Sequence, residues 1–306
     1  MDEIAALLKT INVECFDDFD LSQISSIKIG GRAKLVVFPK TEKELEKVLL
    51  LFYSKKIVFK MVGNASNILF VSNVKIPLVV TSRMTDEIKI KNNFVSVSAG
   101  MVLAKFVDVL RKNRLTGAEC LAGIPATIGG AIFNNAGAFG QNISDHLVKL
   151  KVFSRGQIFD VLKNEIKFGY HFSNLDNFVI LSASFLFENA SEYDIISLVN
   201  KFAFLRGKSQ PSGPSLGSVY KKLNGNSAGF YIERCGLKGQ RVGGVVISNK
   251  HANFFVNEGG ASATDFLRLG ALVQNAVLRS FGLELVCEIE KVGDNNEIIS
   301  RLPYSF

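Results

Sequence analysis

Residues 117–140 read GAECLAGIPATIGGAIFNNAGAFG. Five of the last eighteen positions are glycine (Gly123, Gly129, Gly130, Gly137 and Gly140), and Glu119 is the only ionisable carboxylate or ammonium in the stretch. Glycine admits positive φ and lets main chain approach a ligand closely, at about 0.5–1 kcal/mol per position in regular structure. A run this rich in glycine, alanine and asparagine resists becoming a long helix or a central strand. Two readings follow. The stretch is either a set of tight turns between short strands or a main-chain cradle for a large, flat or phosphorylated cofactor, and the second fits better.

The chain has 306 residues, enough for two or three compact units, and its 47% hydrophobic and 21% charged residues imply a sizeable core. Lys and Arg exceed Asp and Glu by 36 to 28, a net charge of +8 that favours anionic partners. The basic residues are spread without a run, and no nucleic-acid-reading motif is present, so an anionic small molecule fits and nucleic acid does not. Cys15, Cys120, Cys235 and Cys287 form no CxxC pair. The first sixteen residues carry Asp2 and Glu3 with no basic leader, so a cytoplasmic protein with reduced thiols is expected. Apolar runs such as 48–53 fall far short of the roughly 18 residues of a membrane span, so no membrane insertion is expected. The three histidines share no ligand spacing with thiols or carboxylates, which argues against a catalytic metal.

Hydrophobic spacing organises the rest. Residues 1–14 read as an amphipathic helix, 34–38 as a strand after the Gly30-Gly31 pair, and Thr41 with Glu44 as a capping box. The box opens a helix with Leu45, Val48, Leu49 and Phe52 on one face. Strands are expected at 57–62 and 68–71, separated by a turn at 63–67. A second unit begins near residue 78, with a strand at 94–99 and a helix at 102–111 carrying Leu103, Phe106, Val107 and Leu110. Strands at 147–153, 157–162 and 179–186 and a helix at 191–206 complete it. The segment 207–217, GKSQPSGPSLG, marks a loop or boundary. The third region has a helix at 228–235, strands at 245–248 and 254–256, a helix at 262–281 capped by Ser262, and a strand at 285–292.

Three segments carry polar chemistry. The turn Val62, Gly63, Asn64, Ala65, Ser66, Asn67 offers a nest of backbone N–H groups for a pyrophosphate, and it is neither a P-loop nor a GxGxxG turn. Ser218 follows Gly217 near Lys221 without a GxSxG elbow, so it reads as a proton donor or a turn serine rather than a hydrolase nucleophile. His251 and Asn253 share one face of an extended segment, suited either to structure or to a polar ligand. Glu284, Glu288 and Glu290 alternate along the last strand, so at most one of them is expected to face a site.

In this order the segments IGGRA (29–33), VGNASNIL (62–69), VSAG (97–100), the glycine-rich stretch, FGYHFS (168–173), QPSGPSLGSVYK (210–221), CGLKGQRVGGVVISNKHANFFVN (235–257) and CEIEKVG (287–293) resemble the UDP-N-acetylenolpyruvoylglucosamine reductase family, the MurB flavoenzymes. The resemblance covers about residues 20–295, and the short spacing from Gly140 to Ser218 resembles its compact type II branch. It implies an α+β fold: two α/β subdomains forming a PCMH/VAO-type FAD-binding module, plus an α+β substrate-binding domain. The corresponding boundaries are an N-terminal helix at 1–20, FAD subdomains at 21–80 and 81–206, and the substrate domain at 207–306. The implied activity is reduction of UDP-N-acetylglucosamine enolpyruvate to UDP-N-acetylmuramate in peptidoglycan precursor synthesis, with FAD as cofactor and NADPH as hydride donor, in a cytoplasmic monomer.

By the same resemblance, FAD lies against Val62, Gly63, Asn64, Ala65, Ser66, Asn67, Gly123, Ile124, Pro125, Ala126, Thr127, Gly129, Gly130, Asn135, Gly137 and Ala138. Ser218 gives the proton, Glu288 is its acidic partner, and His171 stands at the catalytic position where the family usually has arginine. Tyr170, Lys208, Lys221 and His251 are the implied substrate contacts. The chain also departs at Ala65 and Ala126, where glycine is usual, and at Lys222, where asparagine commonly follows the lysine. Arginine is always charged, whereas histidine titrates near pH 6.5. The enzyme therefore either works with an imidazolium or binds FAD with weakened reduction. A hydroxy-compound oxidase and a non-enzymatic flavin protein of the same fold stay open at this point.

Overall fold

The computed structural model describes residues 2–85 and 87–294. Helix α1 (Asp2–Thr10) places Asp2 and Glu3 at its positive end and Lys9 at its negative end. It stops short of residue 14 because Asn12 takes a φ of +58°, and Val13 N–H turns back to Leu8 O at 3.1 Å. Glu14–Asp20 then forms strand β1, so the segment 1–20 expected as a helix is half helix and half sheet edge.

Around β1 a four-stranded sheet assembles from β2 (Arg32–Phe38), β3 (Lys60–Val62) and β5 (Leu78–Val80), in the order β1-β2-β5-β3. β1 is antiparallel to β2, while β5 runs parallel to both β2 and β3. Strand β4 (Ile68–Phe70) lies outside this sheet. Helix α2 (Glu42–Ser54) crosses from β2 to β3 and buries Leu45, Val48, Leu49 and Phe52, as the spacing predicts. Its cap differs from the expected box by one residue. Thr41 Oγ1 accepts from Glu44 N at 3.1 Å, but Glu44 Oε2 accepts from Lys40 N at 2.7 Å. The expected strand 57–62 pairs only at its last three residues, because Lys56 turns left-handed at φ +52°.

The second unit is an antiparallel five-stranded sheet. Its strands are β6 (Ile88–Lys91), β7 (Phe94–Ser98), β8 (Leu147–Ser154), β9 (Gln157–Leu162) and, after a small hairpin of β10 (Phe168–Gly169) and β11 (Phe172–Ser173), β12 (Val179–Leu186). The order is β9-β8-β12-β7-β6. Helices α3 (Leu103–Lys112) and α4 (Ile128–Phe133) close its core, with Phe106 and Phe185 in ring contact at 5.4 Å. Helix α5 (Glu192–Ser209) runs three residues past the expected end, so the loop after it begins at Gln210. Leu45, Val48 and Phe52 of α2 share a cluster with Phe153, Val179 and Leu181, which welds the first sheet to the second.

Beyond the loop, β13 (Ser215–Ser218), α6 (Ala228–Arg234), β14 (Arg241–Val242), β15 (Val245–Ile247), β16 (Phe254–Asn257) and α7 (Ala263–Phe281) build the third unit. The sheet order is β13-β16-β15-β14. Ser262 and Asp265 form a reciprocal capping box on α7, and Gly282, at φ +67°, ends it. Phe266, Leu269, Val273 and Val277 recur at helical spacing and are buried with Tyr220 and Phe255. The expected strand 285–292 is ordered as strand only over β17 (Glu290–Val292), and it joins none of the third unit's strands. β17 crosses back to pair in parallel with β4, Glu290 opposite Ile68 and Val292 opposite Phe70. Leu69 and Ile27 accordingly sit in the third unit's core. No helix among the described residues is long and apolar enough to cross a membrane.

Candidate functional site

A cavity of about 800 Å³ opens where the three units meet. Its first wall is the turn between β3 and β4. Ala65 holds a φ of +45°, and the N–H groups of Asn64, Ala65, Ser66 and Asn67 form no hydrogen bond among the described residues. Consecutive unspent donors around a left-handed residue make a concave anion receptor. Asn64 Nδ2 donates to Pro125 O at 2.9 Å, tying this turn to the second wall.

That second wall is the glycine-rich stretch. A Cβ on Gly63 would stand 2.6 Å from Thr127 Oγ1, so glycine is what lets the two walls touch. Thr127 caps α4 by accepting from Gly130 N at 3.3 Å, and Gly129 N–H bonds Ala99 O at 2.8 Å. Gly130 and Gly217 both line the cavity. A Cβ on Gly130 would meet only Thr127 Oγ1, at 3.4 Å, and one on Gly217 nothing within 4 Å, so both positions leave room for a ligand.

Volume, unspent donors and glycine-cleared space together fit a flavin dinucleotide. The residues that would hold it are the 64–67 turn, Gly123 through Thr127, Gly130, and Arg206 beside Gly123. Arg206 donates to Cys120 O at 3.2 Å and to Gln210 Oε1 at 3.1 Å, and burial lowers its pKa. Burial also pushes the Cys120 thiol up to about 11, which leaves it inert in the wall.

The third wall brings the acid–base groups together. Glu288 N–H donates to Val219 O at 2.8 Å, which sets Glu288 beside the strand end that carries Ser218. Its side chain is 5% exposed; Oε1 meets His171 Nδ1 at 2.9 Å, and Oε2 is buried with no partner among the described residues. His171 is left-handed, at φ +46°, on the tip joining β10 and β11. Tyr170 packs against it with ring centroids 4.8 Å apart, and Lys222 Nζ lies 5.6 Å from the Tyr170 ring. Burial and the Glu288 carboxylate raise the Tyr170 pKa.

Of the residues expected in the site, Val62, Asn64, Ala65, Ser66, Asn67, Gly123, Ile124, Pro125, Ala126, Thr127, Gly129, Gly130, Gly137, His171, Ser218 and Glu288 line the cavity. Gly63, Asn135 and Ala138 stand just behind the lining. Asn135, left-handed at φ +45°, donates to Gly169 O at 2.9 Å and so braces the hairpin that carries His171. Tyr170 reaches the site through His171 and Glu288 rather than by lining it. Lys208 and Lys221 do not line the cavity; Lys208 is exposed on the last turn of α5. His251 lies outside it as well, its Nδ1 accepting from Asn253 N at 3.2 Å and its ring on Phe254.

Glu290 lines the cavity together with Glu288, two glutamates where one was expected, and forms an ion pair with Lys60 that is 6% and 19% exposed. Lys60, Arg206 and Lys250 are lining residues that the sequence reading passed over. A lone lysine inside the apolar strand FKMV was the signal for Lys60.

Comparison with known proteins follows this geometry. Residues 209–292 match the family model of the UDP-N-acetylenolpyruvoylglucosamine reductase C-terminal domain, and residues 33–161 match that of an FAD binding domain. Among curated proteins the chain is 36% identical over 304 residues to the UDP-N-acetylenolpyruvoylglucosamine reductase of Caldicellulosiruptor bescii, covering 95% of each chain. It is 35% identical over 290 residues to that of Lactobacillus helveticus, covering 94% of this chain and 97% of the relative. The crystal structure of the reductase (MurB) from Thermus caldophilus superposes with a TM-score of 0.79 at 30% identity, over 92% of this chain and 98% of that one. The fold, the cavity and near-complete coverage by these relatives agree, and the chain belongs to the UDP-N-acetylenolpyruvoylglucosamine reductase family.

Proposed function

We propose that this chain is a flavin-dependent oxidoreductase that uses NADPH to reduce UDP-N-acetylglucosamine enolpyruvate to UDP-N-acetylmuramate, acting as a cytoplasmic monomer in peptidoglycan precursor synthesis. Its 36% identity to a curated reductase over 95% of both chains supports the reaction. The observation that carries the site is the pair of half-buried His171 and buried Glu288 side chain on the rim of a cavity that also holds Ser218. In this reading residues 21–80 and 81–206 grip the cofactor and 207–306 receive the substrate.

Bound flavin supplies hydride acceptance and donation. The protein's own part is binding, orientation and proton placement. Reduction of an enolpyruvyl ether builds negative charge on a carboxylate that is already anionic, so preorganised donors must meet it. Ser218 Oγ holds the proton destined for the carbon beside that carboxylate. His171 Nδ1 meets Glu288 Oε1 at 2.9 Å, while Oε2 is buried with no partner among the described residues, so Glu288 acts on the site through the histidine. The Asn64–Asn67 N–H groups hold a diphosphate, and the apolar walls exclude water from the reacting atoms.

An anaerobic stopped-flow experiment tests the reading. NADPH should bleach the bound flavin, and the enolpyruvyl sugar nucleotide should restore its colour without oxygen. Bleaching with reoxidation by oxygen alone would sink it in favour of an oxidase.

A further inference from the structure

A second cavity of about 430 Å³ lies beside the first and shares Asn64, Pro125, Gly213 and Ser215 with it. The rest of its wall comes from the segment between β1 and β2 and from Ser82 and Arg83. Lys28 and Arg83 are its charged lining residues, and no carboxylate lines it. Neither cation forms an ion pair among the described residues, whereas Arg32, Lys75, Arg111 and Arg241 do.

Both cations are exposed on the wall of this cavity. The Arg83 guanidinium lies 3.8 Å from the Phe38 ring centroid, a stacked pose that leaves its N–H edges open. Lys28 sits at φ +60°, a left-handed conformation that fixes how its side chain leaves the backbone. Between them, Ser26 Oγ donates to Asn64 O at 3.0 Å, which links this wall to the N–H nest of the main cavity. Ser25 Oγ is buried with no partner among the described residues. Two cations with hydroxyl neighbours and, among the described residues, neither an ion pair nor a lining carboxylate make the donor set of a phosphate site.

We propose that this second cavity is a phosphate subsite for a nucleotide whose reacting end lies in the main cavity, an inference that rests on the function read above. Two groups share that chemistry: the diphosphate of the sugar nucleotide and the 2′-phosphate that distinguishes NADPH from NADH.

The test uses FAD-loaded protein and calorimetric titration with UDP and with 2′,5′-ADP, in the wild type, Lys28→Gln, Arg83→Gln and Arg83→Lys. Each Gln variant should weaken one of the two probes about tenfold, the gain of one charge-assisted contact, and Arg83→Lys should recover part of it. Loss confined to UDP assigns the sugar nucleotide; loss confined to 2′,5′-ADP assigns NADPH. Both probes binding within about twofold of wild type in the Gln variants, or neither binding wild type, overturns the proposal. So does loss of FAD from the variants, which would give the subsite to the flavin's own phosphates. The titrations need no turnover, so their failure is separate from a failed stopped-flow reaction.

Discussion

Glu288 is a carboxyl group with one oxygen spoken for and one buried without a partner, and that asymmetry sets its use. Replacing it by glutamine keeps the shape but removes the anion that meets His171. Glu288→Gln is expected to lower kcat about 10²–10³-fold with FAD retained, as loss of one charge-stabilising group does; single-turnover reoxidation of reduced flavin reads this directly. His171→Arg restores a permanent fork toward Glu288 and should raise the reoxidation rate if the imidazole is the weaker partner; an unchanged or lower rate would show the pair is tuned to histidine.

His251 gives a different residue-scale expectation, about stability. Burial, helped by the Lys238 charge, depresses its pKa below the ordinary histidine value of about 6.5. The folded state therefore prefers the neutral ring. The stabilisation is complete above about pH 6.5 and is lost as pH falls through the lower folded value. A melting-temperature profile should decline over that acidic window in the wild type and flatten in His251→Asn. The glycine-rich wall, Ser218 and Glu288 were legible because their chemistry is local to a few neighbouring residues. His251 lies outside the main cavity's lining, and in sequence a histidine beside a strand looks alike whether it faces a cavity or closes a turn.

At the scale of elements, β17 is the piece the sequence left least readable. Period-two alternation places Glu288 and Glu290 on one face of a long strand, but Cys287 bridges antiparallel to Tyr220 while Glu290–Val292 pairs in parallel with β4, over two hundred residues away. Parallel pairing at that separation has no local signature, whereas α2, α3 and α7 announced themselves through apolar spacing and caps. The junction is held by the Lys60–Glu290 ion pair and by Glu290 N–H donating to Asn67 O at 2.9 Å. Lys60→Met should destabilise the protein by about 3–5 kcal/mol because it strands a buried carboxylate. The double change Lys60→Met, Glu290→Leu should recover most of that loss in urea unfolding. Equal losses in single and double variants would show that the pair is not coupled.

For the whole molecule, the cavity is built from all three units, so anything that fills it braces their junction. Saturating FAD at about one hundred times its dissociation constant should add about 2.7 kcal/mol. For a chain this large that is a rise of several degrees in melting temperature, read by scanning calorimetry of loaded and stripped protein. Composition and charge foretold a multi-unit protein with an anionic small-molecule partner. They were silent on the weld between α2 and the second sheet, which depends on Phe153, Val179 and Leu181 arriving from distant strands.

The return of β17 to β4 also bears on biogenesis. Among the described residues Glu288 and Glu290 are the last to join the cavity wall, although the turn and glycine-rich wall they complete emerge from the ribosome far earlier. A nascent chain can assemble its first two sheets while β4 still lacks its partner edge.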